Sequence, residues 1–209
     1  HLELLTHSLV SLARGRNLDT ITGSQTINSF LPLKSDLWAA SCALYATELV
    51  NQFTADHIEN YPLFQLLLAT LHRLCQPDDK ELALRYFEMH LLGEVGYRPQ
   101  LDHCVSCKRT LEAIPNSFGY KAGGVLCPGC SRYQPLTRSI SVDALNVFRL
   151  LQSDDYEAVN RLEMAPALSR EVESVMRGYL RYLLEREVKS AAWLDTLREQ
   201  KLTPPQRFT

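Results

Sequence analysis

The chain has 209 residues, of which 45% are hydrophobic and 22% charged, and its 22 basic and 24 acidic side chains leave a net charge of −2. That length and apolar fraction support one or two packed domains and exclude a disordered chain. The charge balance excludes a globally basic nucleic-acid binder, so any such binding has to come from a local patch. No uncharged apolar run reaches the length of about 18 residues that a membrane-spanning helix needs.

Residues 1–33 differ from the rest. Leu2 to Leu12 is apolar-rich, Arg14-Gly15-Arg16-Asn17 is a turn signal, and Leu18-Asp19-Thr20-Ile21-Thr22 alternates as a half-buried strand does. Two strands and a turn are not stable alone. The hairpin therefore lies on a helical body or belongs to a β domain.

From Ser35 to about Gly96 the period is helical. Ser35 and Asp36 offer an N-cap, and Cys42, Tyr45, Ala46, Leu49 and Phe53 form one stripe. Asn60 and Pro62 open a second helix with the stripe Phe64, Leu67, Leu68, Leu71 and Cys75. After Pro77-Asp78-Asp79, a third helix carries Leu84, Phe87, Leu91 and Val95 and stops at Gly96. Three such helices on short linkers predict a bundle. Residues at about 97–140 lose this period and are punctuated by Gly and Pro. Helical spacing returns at Ser141 with Val142, Leu145, Phe148 and Leu151. A longer helix after Pro166 turns Val172, Val175, Met176, Tyr179 and Leu183 inward and is predicted to run to about Lys189. A last segment covers 190–200, and Leu202-Thr203-Pro204-Pro205-Gln206 reads as an untethered tail.

Six cysteines are too few for a disulfide scaffold of this size, and no export signal is visible at the first residues, so a reducing compartment is expected. Four of the six form two pairs, Cys104/Cys107 and Cys127/Cys130. A two-residue gap lets both sulfurs of a knuckle converge, and two knuckles complete a tetrahedron of thiolates, the pattern of one structural zinc ion with no open position. Two disulfides, an iron–sulfur cluster and coincidence are the competing readings. His103 is next to Cys104 but is superfluous as a ligand, and Cys42 and Cys75 fall on apolar helix faces as inert thiols.

No GxSxG, HExxH, phosphate-loop or dinucleotide fingerprint occurs. Asp78-Asp79 and Asp154-Asp155 stand at helix starts, where capping accounts for them, and His57, His72 and His90 fall within helical segments as structural residues. No enzymatic activity is expected. Charge, however, is uneven. Between Arg98 and Ser139 lie Arg98, Lys108, Arg109, Lys121, Arg132 and Arg138 against Asp102 and Glu112, a local net of +4. Tyr97, Phe118, Tyr120 and Tyr133 are interleaved, the mixture that phosphate contact and base stacking need. A solvated loop whose aromatics bury the metal is the alternative.

Several segments together resemble the RecO family of bacterial recombination mediators. They are Asp19-Thr20-Ile21-Thr22, Ser29-Phe30-Leu31-Pro32-Leu33, Tyr45-Ala46-Thr47-Glu48-Leu49, Leu92-Gly93-Glu94-Val95-Gly96-Tyr97-Arg98-Pro99, Asp102-His103-Cys104-Val105-Ser106-Cys107, Gly123-Gly124-Val125-Leu126-Cys127, and Tyr182 through Ser190 with Trp193-Leu194. The resemblance implies a mainly α protein. In it, residues 1–33 are the last strands of an OB-type β-barrel, and 34–209 form a helical domain, a bundle with an inserted four-cysteine zinc-binding loop. It further implies a cytoplasmic, nucleoid-associated protein that binds single- and double-stranded DNA and anneals strands. Such a protein acts with RecR, contacts SSB and helps load RecA onto SSB-coated strands, with no membrane role. Arg14, Arg16, Lys108, Arg109, Lys121 and Arg132 are the candidate DNA contacts. An adaptor that holds protein partners through its zinc module, without touching DNA, is the second reading.

Overall fold

A computed structural model describes residues 2–16, 18–56 and 58–202 of the chain. The chain starts with an antiparallel hairpin, β1 (His7–Ala13) and β2 (Thr20–Asn28), in which Val10 pairs with Ser24. Four helices follow: α1 (Leu31–Ser35), α2 (Leu37–Phe53), α3 (Tyr61–Leu74) and α4 (Lys80–Glu94). An insertion then carries β3 (Asn116–Gly119), β4 (Gly124–Leu126), the short α5 (Pro128–Ser131) and β5 (Thr137–Ile140). The chain closes on α6 (Val142–Leu151), α7 (Tyr156–Asn160), α8 (Pro166–Leu184) and α9 (Lys189–Leu202). Among the described residues, no helix is long and apolar enough to cross a membrane.

The predicted caps are in place. Asp36 accepts from the amides of Trp38 and Ala39, Asn60 from Leu63, Asp79 from Glu81 and Leu82, Ser141 from Ala144 and Asp155 from Ala158. Each satisfies amides that a helix start leaves open. The paired acids at 78–79 and 154–155 thus supply caps through Asp79 and Asp155. Gly96, at φ 84°, takes the left-handed turn that stops α4.

Helix α4 is the centre of the molecule. Leu82 through Met89 are all buried, so this helix is wrapped on every side, and even Arg85 and Glu88 are 5% and 0% exposed. The α3 stripe read from the sequence is displaced. Leu63, Thr70, Leu71 and Leu74 face the core, whereas Phe64, Leu67 and Leu68 share with Leu71 a cleft against Leu4, Leu5 and His7 at the base of the hairpin. The helix is apolar on two sides because it has two neighbours. The His7 ring meets Phe64 edge-on at 5.5 Å, and the Lys34 ammonium donates to Glu3 and Thr6. The hairpin leaves Leu9, Leu12, Ile21 and Ile27 more than half exposed.

Helix α8 stops at Leu184, short of the predicted Lys189, because Glu185 turns left-handed at φ 54°. The turn lets Arg181 pair with Glu187 at 3.0 Å and starts a new helix over a remote carboxylate. Glu48 on α2 accepts from the amides of Lys189 (3.0 Å) and Ser190 (2.8 Å) and from the Ser190 hydroxyl, a cap delivered across the bundle. Partial burial pushes the Glu48 carboxyl up, but these donors hold it below the ordinary carboxylate value. Glu48→Ala is expected to cost about 1–2 kcal/mol in urea denaturation, the size of a lost N-cap. Because the folded pKa is the lower one, the contribution is complete above the unfolded value and fades as pH falls through the folded one. The difference between wild type and variant should shrink in acid. The predicted tail starts at Leu202, but α9 runs through that residue; the rest of the tail, 203–206, and also His57 and Asn17 of the hairpin turn signal, lie outside the described residues.

Candidate metal centre

The insertion is not shapeless. Its strands form an antiparallel sheet in the order β4-β3-β5, with Phe118 opposite Val125 on one side and Arg138 on the other. Phe118, Val125, Leu126 and Ile140 are buried in the same core as the helices, and Phe118 packs edge-on against Tyr179 of α8 at 5.2 Å. Strands of three and four residues are too short for alternation to declare them, which is why the sequence shows only a loss of helical period.

This sheet positions two knuckles. In the first, the Cys104 amide donates to the Arg109 carbonyl at 2.8 Å, and Lys108, at φ 63°, closes the turn by donating to the Cys104 carbonyl at 2.9 Å. In the second, β4 delivers Cys127, and the amides of Cys130 and Ser131 fold back onto the Cys127 carbonyl, both at 3.0 Å. The knuckles are laced together: Val105 donates to Val125 and Val125 to Gln100, each at 2.9 Å. The Gln100 backbone passes so close to Gly124 that a Cβ there would fall 2.5 Å from the Gln100 carbonyl oxygen. Only glycine fits at that crossing.

The result is a cluster in which the sulfurs of Cys104, Cys107, Cys127 and Cys130 all lie within 4.8 Å of one another. The Cys107 and Cys127 sulfurs are 3.9 Å apart, far beyond the disulfide length of about 2.05 Å and close to the ~3.8 Å edge of a tetrahedron with 2.3 Å zinc–sulfur bonds. None of the six cysteines forms a disulfide. The Cys127 amide donates to the Cys104 sulfur at 3.4 Å. The Arg109 amide and then its guanidinium bring the Cys107 thiol down to about 6. Burial pushes Cys104 up, but amides of Cys107, Cys127 and Ser106 outweigh it and leave the thiol below its usual value. Cys130 is pushed up to about 11, first by its hydrogen bond with Cys127. Two thiols already drawn toward ionisation, and a third held back by its neighbours, form with Cys127 a donor set that a divalent cation would complete. His103 is exposed and pairs through its backbone with Thr110, outside the cluster.

The candidate nucleic-acid residues are spread over several elements. Arg14 and Arg16 are exposed at the β1–β2 turn. Lys108, Arg109, Lys121 and Arg132 all lie exposed on the insertion, and the Arg109 guanidinium is engaged with the Cys107 sulfur. Asp102, one of the two acids opposing them, is paired with Arg149 at 3.3 Å. The interleaved aromatics divide: Phe118 is core, Tyr120 is half-buried, and Tyr97 (48%) and Tyr133 (85%) face solvent. Sequence reasoning missed a buried ionic cluster. Arg85 pairs with Glu88 at 2.8 Å, and Glu173 takes Arg177 and Arg198 from two further helical positions. The available signal was the near-continuous apolarity around 82–92, which leaves Arg85 and Glu88 no face to solvent.

Fold and site together define a helical domain that carries a four-cysteine, two-knuckle insertion on a small sheet. The family model described as "Recombination protein O C terminal" matches residues 34–192. The chain is 43% identical over 198 residues to a DNA repair protein RecO of Dehalococcoides mccartyi, covering 95% of this chain and 78% of that protein. It is 40% identical over 203 residues to the DNA repair protein RecO of a Roseiflexus species, covering 97% and 72%. The corresponding protein of Symbiobacterium thermophilum is 33% identical over 204 residues, covering 95% and 80%. The chain belongs to the RecO family of DNA repair proteins.

Proposed function

We propose that this chain is a recombination mediator. It binds and anneals single-stranded DNA, binds duplex as well, and works with RecR to help load RecA onto strands covered by SSB, in the bacterial cytoplasm at the nucleoid. It does so without catalysing bond chemistry. The observation that carries the reading is the exposed cationic surface of the insertion. Lys121 and Arg132 stand there with an almost fully exposed Tyr133, and Asp102 is neutralised by Arg149. Neutralised phosphates and free stacking faces are what annealing requires.

In this reading the cysteine cluster holds one structural zinc, which supplies folding energy and offers no open position. The hairpin within 1–33 contributes the closing strands of an OB-type barrel, whose interior would cover Leu9, Leu12, Ile21 and Ile27, and 34–209 form the helical domain. Filter binding of the chain to single strands over a salt series tests the proposal. Affinity should fall linearly in log–log form. Reversing Arg14 and Arg16 to Glu should weaken it and flatten the slope by about 1.4, two phosphate contacts at ~0.7 each for single strands. An unchanged slope would remove the hairpin turn from the interface. Absence of binding at every salt concentration would favour the adaptor that touches only protein partners.

A further inference from the structure

We propose that the insertion carries a preformed stacking tip for unpaired nucleic-acid bases, formed by Tyr133 and Leu136 and flanked by Lys121, Arg132 and Arg138. The inference rests on the DNA-binding reading above and assigns that surface its base-contacting residues.

Three observations place the tip. Tyr133 is 85% and Leu136 61% exposed, which is a large apolar area to leave in water at one end of a small sheet. The ends of two loops meet there: the Tyr120 amide donates to the Leu136 carbonyl at 3.2 Å, so the β3–β4 turn that carries Lys121 lies against the loop that carries Leu136. Leu136 itself sits at φ 56°, a left-handed conformation that leucine seldom adopts. Glycine would serve such a turn with less strain. What leucine adds is an apolar side chain held out in solvent, and strained residues of this kind cluster at binding sites.

The tip is also held in place. The Tyr133 amide donates to the Cys130 carbonyl at 3.3 Å and the Gln134 amide to Ser131 at 3.2 Å, so the ring projects directly from the second knuckle. With its backbone held in this way, a tyrosine has only its few side-chain torsions to lose when a base covers the ring. Arg132 and Arg138 are exposed on either side in sequence, and Arg138 lies near the half-buried Tyr120 phenol. Cations beside an exposed ring and an aliphatic wedge match a strand whose phosphates run past the tip while a base stacks on it. The exposed ring, not the charge, favours a nucleic acid over an acidic protein, because a base stacks on it whereas a counter-charge alone gives the tyrosine no role.

The test uses the whole chain with Tyr133→Trp as a reporter, compared with wild type, whose two tryptophans, Trp38 and Trp193, lie on helices outside the insertion. Oligo(dT) should quench the introduced indole, and an abasic strand of equal length should not. Tyr133→Ala should weaken oligo(dT) binding about tenfold, with the salt slope unchanged because no phosphate contact is lost, and Tyr133→Phe should retain the affinity. Equal quenching by both strands, or full affinity in Tyr133→Ala, would overturn the tip while leaving DNA binding itself intact. Failure of the wild-type chain to bind any strand would overturn both. Tyr133 is too exposed for its replacement to disturb folding, and unchanged circular dichroism checks this.

Discussion

Cys127→Ser should release the bound metal and open the two knuckles while leaving the bundle folded. The wild-type chain is expected to carry one zinc per molecule by atomic absorption and the variant almost none, because a tetrathiolate site lacking one donor loses both charge and geometry. Structural zinc sites return much of their binding free energy as folding free energy. A stability loss of at least ~3 kcal/mol is therefore expected, roughly 6–12 °C in melting temperature for a chain of this size. The loss should be uneven. Amide exchange should rise sharply across 102–113 and 127–136, whose hydrogen bonds close back on the cysteines, as in Cys104 to Arg109 and Cys130 to Cys127. Strands β3 and β4 should keep part of their protection, because Phe118, Val125 and Leu126 are rooted in the helical core. A chelator acting on the wild type should reproduce the same pattern. Unchanged metal content in the variant, or exchange that rises evenly over the whole chain, would show that the four sulfurs do not act as one site.

That pattern also marks where sequence reasoning reached its limit. Helices α2, α3, α4 and α6 were legible because each is announced twice, by apolar spacing and by a cap: Asp36, Asn60, Asp79 and Ser141 all accept from the amides they precede. The cysteine quartet was legible because ligand spacing is a local property. What could not be read was whatever depends on partners remote in sequence. The sheet of the insertion consists of strands held by their neighbours, so segments this short carry no period of their own. The break at Glu185 goes with a carboxylate far upstream on α2 that waits to cap α9. The second apolar side of α3 exists because a hairpin docks there. The aromatics of the insertion read alike in sequence, yet burial separates Phe118, which is part of the core, from Tyr133, which faces solvent.

Removing either half of the Arg85–Glu88 pair should destabilise the chain more than any surface change, and removing both should not. Glu88 is fully buried; it receives Arg85 at 2.8 Å and the Tyr45 hydroxyl at 2.6 Å. Among the described residues its other carboxylate oxygen has no hydrogen-bond partner, nor has the Arg85 Nε. Such a pair regains in Coulomb attraction roughly what it loses in hydration, so its net worth is small, but one member left alone is an uncompensated buried charge costing about 3–5 kcal/mol. Glu88→Ala should reach that range at every pH near neutrality, because a guanidinium does not shed its proton. Arg85→Met should behave differently. The stranded carboxyl can take up a proton, and burial already raises its pKa above the ordinary value with Arg85 in place. With the folded pKa above the unfolded one, stability is greatest below the unfolded value and falls as pH rises through the folded one, so Arg85→Met should be least damaging in mild acid. The triple change Arg85→Met, Glu88→Leu and Tyr45→Phe removes the paired polar groups together and should return stability to within about 1 kcal/mol of wild type. Urea denaturation of the single and combined variants decides the matter through the coupling energy. Single losses below about 1 kcal/mol would mean that water reaches the pair and that α4 is not the dry centre of the bundle. The pair is also the inner end of a longer network: Glu173 lies 3.9 Å from Arg85 and binds Arg177 and Arg198, which ties α4 to α8 and α9 through ion pairs that become more exposed outward.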